Sequence, residues 1–394
     1  MGEVPIGILA RVQLPGFGGC LRGAPPGELK RKESQPAGMN RRRILLGFAV
    51  SAFFLFLALR GQDYAAIRTA FSEVTYWYLV PALGLYFIGL LARAYRWSVL
   101  LRPVEKIGVR RLVGINAVGL MANNVLPLRT GEFVRAYALS QRSNVSKSTG
   151  LATIAVERIF DGVTLLAFIA GSMLFVDLTV QLERVAELAM LIFALALVAL
   201  VLLARGGQLR DRMLQLALGF LPEKLSVKVN RMAESFISGL GIFHNWRELA
   251  LVSLSSIVAW GFEGSAYWVV ARSFGGSIQA AMGIPETLLT TGIANLATLV
   301  PSSPGYVGPY EAAVILVLSG ALGLSRELAL SYGVLMHVML WLPVTIWGVI
   351  EWSRLHLSLA QVEDAEYSAD DEPLPGQTEP FGDKRPQMGA RLDS

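Results

Sequence analysis

Apolar residues arrive in this chain in long blocks, not at the three-to-four-residue spacing of a helix with one wet face. Blocks at 44–59, 74–101, 112–128, 149–176, 188–204, 249–271, 287–310 and 328–350 approach or exceed the roughly 20 residues that cross a bilayer. A shorter block lies at 312–324. The pattern predicts an all-α polytopic membrane protein. Six read as full spans, some of them carrying charges, and two are broken: 112–128 by polar Asn116, Asn123, Asn124 and by Pro127, and 287–310 by Pro301, Pro304, Gly305, Gly308 and Pro309. Six full crossings and two broken or re-entrant hairpins are therefore expected.

Composition agrees. Charged residues make up 16% of the chain and apolar ones 53%, where a soluble domain carries about 25% charge. The net charge of +5 needs no nucleic acid, because basic cytoplasmic loops give the same balance. Arg41 to Arg43 place the amino terminus inside. The loops at 102–111 and 129–147 are basic, and the loop at 177–187 is acidic and so outside. The connection 205–247 is basic and reads as amphipathic helix at the interface. Both termini then lie in the cytoplasm of a bacterial inner membrane. Residues 1–40 and the acidic stretch 356–394 bury too little apolar surface to fold alone, and Met39 reads as a natural start. The membrane domain is expected over 41–355.

The two broken blocks echo each other. Asn123-Asn-Val-Leu-Pro127-Leu-Arg-Thr-Gly131 and Asn295-Leu-Ala-Thr-Leu-Val-Pro301-Ser-Ser-Pro-Gly305 share an upstream Asn and then Pro-x-x-x-Gly. The prolines are 174 positions apart, and so are the glycines. The charge rule runs the preceding helices in opposite directions. This predicts inverted repeats at about 74–176 and 249–352, a recurring transporter plan with discontinuous helices near mid-membrane. Backbone freed by Pro and Gly is tolerated at that depth only against protein or a wet cavity. Asn124, Pro127, Gly131, Pro301, Pro304, Gly305 and Gly308 are the expected shapers of the hairpins. The alternative is that these residues merely kink packed helices.

Charged residues inside apolar spans need partners, since one at a helix centre costs at least roughly 2.5–3.5 kcal/mol. Arg158 and Asp161 are spaced i,i+3, and Glu157 shares their face. Arg129, Glu132 and Arg135 are also three apart. Glu263 stands alone in its span and Glu311 follows the second break. Arg93 and Arg96 lie near the cytoplasmic end of their helix, where two readings are open: snorkelling to the interface or internal ion pairing. One reading is a polar cavity in which Arg129, Arg135 and Arg158 meet a lipid phosphate, which a guanidinium binds bidentately. Glu132, Glu157, Asp161, Glu263 and Glu311 complete the expected substrate-binding set. The other reading is internal ion pairing that locks helices together. His337 reads as a satisfied interior histidine.

Enzyme signatures are missing. A Gly-x-Ser nucleophile with a paired His is not found, nor is a Gly-Lys-Ser/Thr phosphate loop. One cysteine, Cys20, excludes a disulfide framework. Three histidines, His244, His337 and His356, leave little for a metal cluster. No catalytic residue, metal or cofactor is expected.

Several pieces together carry a resemblance: Arg93-Ala-Tyr-Arg-Trp97, Asn124-Val-Leu-Pro-Leu-Arg-Thr-Gly-Glu132, Val156-Glu-Arg-Ile-Phe-Asp-Gly162, and Pro301-Ser-Ser-Pro-Gly-Tyr-Val-Gly308 followed by Glu311. In this order the chain resembles the flippase-like family named for the transmembrane region of lysylphosphatidylglycerol synthetase, over about 44–355. In the synthetase that region moves or presents an aminoacylated lipid made by a separate soluble domain. Only a short acidic tail follows here, so the resemblance leaves flipping of an anionic phospholipid or lipid-linked intermediate as the expected activity. It also implies partners in cell-envelope or hopanoid synthesis. A membrane-embedded enzyme or an accessory subunit of lipid or glycolipid synthesis is the rival expectation.

Overall fold

The computed structural model describes residues 59–126, 130–178, 246–299 and 304–356, with scattered positions between 49 and 56 and between 183 and 195. The expected terminal segments, most of the spans at 44–59 and 188–204, and the amphipathic segment up to 245 lie outside the described residues. So do Pro127, Arg129 and Pro301. The described residues belong to one compact unit that begins at Arg41.

Every regular element among the described residues is helical. Helix α1 (Tyr64–Ser72) starts at Asp63, whose carboxylate accepts the N–H groups of Ala65 and Ala66. A single 3-10 turn, Tyr76–Tyr78, leads into α2 (Leu79–Leu101). Next come α3 (Val109–Val125), α4 (Gly131–Ser140) and α5 (Lys147–Ser172). Ser146 caps α5 by accepting from the Thr149 N–H, the usual role of a serine at that position. The second half holds α6 (Trp246–Phe274), the short α7 (Gly276–Ala281) and α8 (Ile284–Ala297). A 3-10 turn at Pro304–Tyr306 precedes α9 (Pro309–Ile315), which widens into a π-helical turn at Leu316–Ala321. Helix α10 (Arg326–Arg354) is capped by Ser325.

Among the described residues, the segments Tyr76–Leu101, Trp246–Phe274 and Arg326–Arg354 are long and apolar enough to cross a membrane. Their outward residues are apolar: Val80, Ile88 and Leu91 on α2, Leu254 and Ile257 on α6, Ile346 and Val349 on α10. Charged side chains such as Arg96, Glu157 and Glu263 are buried. Apolar outside and charged inside is the distribution expected in lipid.

Both halves run long helix, helix, break, short helix, long helix. Packing crosses between them reciprocally. Helix α2 lies on α6, α3 on α10, and α8 on α5. Each contact has a glycine where the backbones approach. A Cβ on Gly89 would stand 2.9 Å from the Ala259 carbonyl oxygen, one on Gly292 would meet Ile169, and one on Gly348 would meet Met121. Small residues at close crossings are how helices associate without a hydrophobic drive between them.

Candidate functional site

The two breaks face one another. The Asn124 side-chain amide donates to the Trp341 carbonyl at 3.3 Å and to Thr345 Oγ1 at 2.8 Å, tying the end of α3 to α10. At the first break, Asn123 Oδ1 accepts the Gly131 N–H at 2.8 Å. This satisfies one orphan donor at the start of α4, where Thr130 makes no side-chain cap. Gly131 is required there, because a Cβ would collide with the Gly119 carbonyl and the Asn123 side chain.

At the second break the chain takes unusual dihedrals. Gly305, Tyr306 and Gly308 have φ of 76, 62 and 101°. Glycine adopts such values freely and tyrosine does so at a cost. Glu311 Oε2 accepts the Gly308 N–H at 2.6 Å. His337 of α10 spans the turn, with Nδ1 2.5 Å from Glu311 Oε1 and Nε2 2.7 Å from the Gly305 carbonyl oxygen. The interior histidine is thus satisfied on both ring nitrogens.

Between the breaks lies a cavity of about 360 Å³. Among the described residues, four arginines and four carboxylates line it: Arg93, Arg96, Arg135 and Arg158 with Glu132, Glu157, Asp161 and Glu263. Formal charges cancel. Arg96 is 2% exposed and pairs with Asp161 at 2.7 Å and Glu157 at 3.4 Å, and it also donates to Ser256 at 2.9 Å. Arg135 pairs with Glu157 at 2.5 Å and stacks 3.7 Å above the Trp97 ring. Arg93 pairs with Glu263 at 2.7 Å and lies over Trp260, whose indole N–H donates to Asp161. Of the two readings open for Arg93 and Arg96, the structure shows internal pairing: two acids of α5 hold Arg96 at the helix interface, and Arg93 pairs with Glu263, the one acid of its span, across the α2–α6 contact.

Arg158 differs from the other three. Its side chain is 41% exposed, and it lacks a short pair: its contacts are to Glu132 at 3.4 Å and Asp161 at 3.3 Å, where each of the other three has one of 2.5 to 2.7 Å. Among the described residues its buried Nε–H has no hydrogen-bond partner. The expected i,i+3 pairing of Arg158 and Asp161 is present. Of the expected substrate-binding residues, Glu132, Arg135, Glu157, Arg158, Asp161 and Glu263 line the cavity, whereas Glu311 stands behind His337. Asn124 and Gly131 line it too, whereas Pro304, Gly305 and Gly308 form the turn beside it.

Sequence reasoning missed the aromatic part of the wall: Tyr86, Trp260, Tyr306, Tyr310 and Trp341. On the second-half side the described polar lining groups other than Glu263 and His337 are hydroxyls and amides. Tyr267 and Tyr310 share a 2.7 Å hydroxyl contact, and Asn295 donates to Tyr267. The place of Tyr306 was readable, since it follows Gly305 just as Glu132 follows Gly131 in the first break.

A helical unit with apolar sides and a cavity lined by buried ion pairs is an integral membrane protein. The chain belongs to the lysylphosphatidylglycerol synthase transmembrane-region family, which it matches over residues 44–348. It is 25% identical to the protein named glycosyltransferase AglD of Haloferax volcanii, over 86% of this chain and 59% of that protein. It therefore spans about three fifths of that relative. It is also 25% identical to a UPF0104 membrane protein of Methanothermobacter thermautotrophicus, over 78% of this chain and 92% of the relative. The family and the UPF0104 relative place the chain among integral membrane proteins.

Proposed function

We propose that the protein moves a phosphate-bearing lipid, an anionic phospholipid or a lipid-linked intermediate, between the leaflets of the cytoplasmic membrane. One observation carries the reading. The Arg158 side chain is 41% exposed and lines the cavity, its two ion pairs are 3.3 and 3.4 Å long, and among the described residues its buried Nε–H has no hydrogen-bond partner. A guanidinium binds phosphate oxygens through its fork of donors. Arg96 and Arg135 have their charge met by Glu157 and Asp161, so they set the shape and potential of the wall, and Arg135 is a secondary contact. Glu132 holds Arg158 until the headgroup arrives. The reciprocal packing of the two halves supports inverted repeats, and the facing breaks support a site that each side reaches in turn. Arg129 joins the headgroup contacts in this scheme. The basic sequence at 102–111 and 205–247 supports a cytoplasmic position for both termini.

The glycosyltransferase name of the Haloferax relative favours one second reading, work on a lipid-linked sugar. The aromatic wall formed by Trp260, Tyr306 and Trp341 suits a sugar ring, so this substrate belongs in the same assay.

The test is a leaflet-resolved assay in proteoliposomes, using fluorescent phospholipids of differing headgroup charge and a lipid-linked sugar. Movement that Arg158→Ala removes while the protein stays folded is the expected result. Unchanged movement in Arg158→Ala would sink the role given to that residue. No movement of any lipid by folded protein would shift the reading to an enzyme or accessory subunit of lipid synthesis.

A further inference from the structure

The pair at the second break carries a requirement of its own. The Gly305 carbonyl oxygen only accepts, so Nε2 of His337, 2.7 Å away, must carry hydrogen. A neutral imidazole has one N–H, which leaves Nδ1 as a bare lone pair. Yet Nδ1 lies 2.5 Å from Glu311 Oε1, a contact that two bare acceptors cannot hold. One hydrogen therefore sits between them, on the nitrogen or on the oxygen.

We propose that His337 and Glu311 together form a proton-binding site, and that the bound proton fastens the second break to α10. His337 lines the cavity, so the proton comes from cavity water and returns to it. One N–H or O–H bond forms on uptake and breaks on release. Without the proton, lone pairs on Nδ1 and Oε1 repel each other. The carboxylate keeps its bond to the Gly308 N–H at 2.6 Å, and the histidine swings away. The grip on Gly305 goes with it. Gly305 and Gly308, with φ of 76 and 101°, sit where the backbone changes direction most cheaply. The turn is thus a two-state element biased by one proton.

The surroundings do not supply a competing charge. Tyr310 of α9 has its ring 4.7 Å from the imidazole, and its hydroxyl contacts Tyr267 of α6. Tyr332 of α10 donates to the Tyr267 carbonyl. Tyr306 belongs to the turn itself. Glu263 of α6 is held by Arg93 of α2 at 2.7 Å, and Arg158 of α5 is held by Glu132 and Asp161. From α3 and α8 the described lining residues include no titratable group. This site is separate from the Arg158 contact and needs no lipid.

The experiment reads the turn directly. Val307 lies in it and is 37% exposed. In a Cys20→Ser background, Val307→Cys is alkylated with a maleimide at a series of pH values, with and without Glu311→Gln. The glutamine amide donates permanently to Nδ1 and accepts from Gly308, so that variant stays fastened and reports the thiol's own pH dependence. The ratio of the two rates should climb by up to about tenfold per pH unit across the pair's titration, the slope of one linked proton. A ratio that stays flat overturns the proposal. A second measurement needs no change at Glu311. In ¹⁵N-histidine-labelled protein, His337 signals assigned by their loss in His337→Asn should shift with pH at Nδ1 while Nε2 keeps its hydrogen. Signals fixed over the whole range in which the protein stays folded overturn the proposal as well. Neither readout contains lipid movement, so failure of the transport reading and failure of this one are distinguishable.

Discussion

The two breaks pose one backbone problem and answer it differently. Each opens a helix start near a shared cavity and leaves N–H groups without partners. The first uses a neutral amide, Asn123, bonded to Gly131. The second uses a carboxylate, Glu311, bonded to Gly308. A buried carboxylate needs compensation that an amide does not, and His337 supplies it. The cavity charges divide the opposite way. Seven of the eight described lining charges come from α2, α4 and α5 of the first half, and Glu263 alone from the second. The first half thus carries a dense ion-pair network around a neutral brace, and the second a titratable brace among neutral hydroxyls. One scaffold used twice separates headgroup electrostatics from the fastening of the turn.

Removing Glu157 should damage the molecule most. It is 1% exposed and faces both Arg96 and Arg135. Breaking a buried pair by deleting one partner costs about 3–5 kcal/mol, so Glu157→Ala should lose folded protein outright. Thermal unfolding in detergent checks it. A mild shift would mean that water already reaches these arginines and that the network is not what closes the first half.

The second break should respond less, and in a way the first cannot. Glu311→Ala strips the Gly308 bond and leaves His337 Nδ1 unanswered, at about 2–3 kcal/mol. Glu311→Gln keeps both bonds and should stay within about 1 kcal/mol of the wild type. Equal losses in the two variants, measured by the same unfolding assay, would show that charge and not bonding matters there. Asn123→Ala at the first break should cost about 1–2 kcal/mol, the range for a lost helix cap. Its effect should not change with pH, because nothing in that brace titrates.

Much of this contrast was legible along the chain, and the illegible part has a physical reason. Apolar blocks at 74–101, 249–271 and 328–350 mark the three helices that, among the described residues, are able to cross a membrane, because crossing length is a local property. The breaks were visible because Pro and Gly act on their own backbone. The i,i+3 contact of Arg158 with Asp161 follows from helix geometry alone. Partners on other helices do not. Arg96 meets acids 61 and 65 positions away and Arg93 meets one 170 away, and no periodicity encodes which helices cross. One clue was available. Gly89, Arg93, Arg96 and Trp97 share a helix face, and a glycine on a charged face of an apolar helix signals close packing, not lipid. Read that way, Arg93 and Arg96 point inward.

The smallest effect on stability falls on the residue given the largest role in function. Arg158 is partly exposed and its ion pairs are long, and pairs of that kind contribute about 0–1 kcal/mol. Arg158→Ala should therefore unfold close to the wild type while losing lipid movement. Arg158→Lys sharpens the point. A lysine restores charge but not the planar fork, so it should recover part of the movement if the guanidinium grips a phosphate, and all of it if any cation in the cavity suffices. An Arg158→Ala protein as unstable as Glu157→Ala would instead fold Arg158 into the ion-pair network, and the two halves would then differ in structure alone.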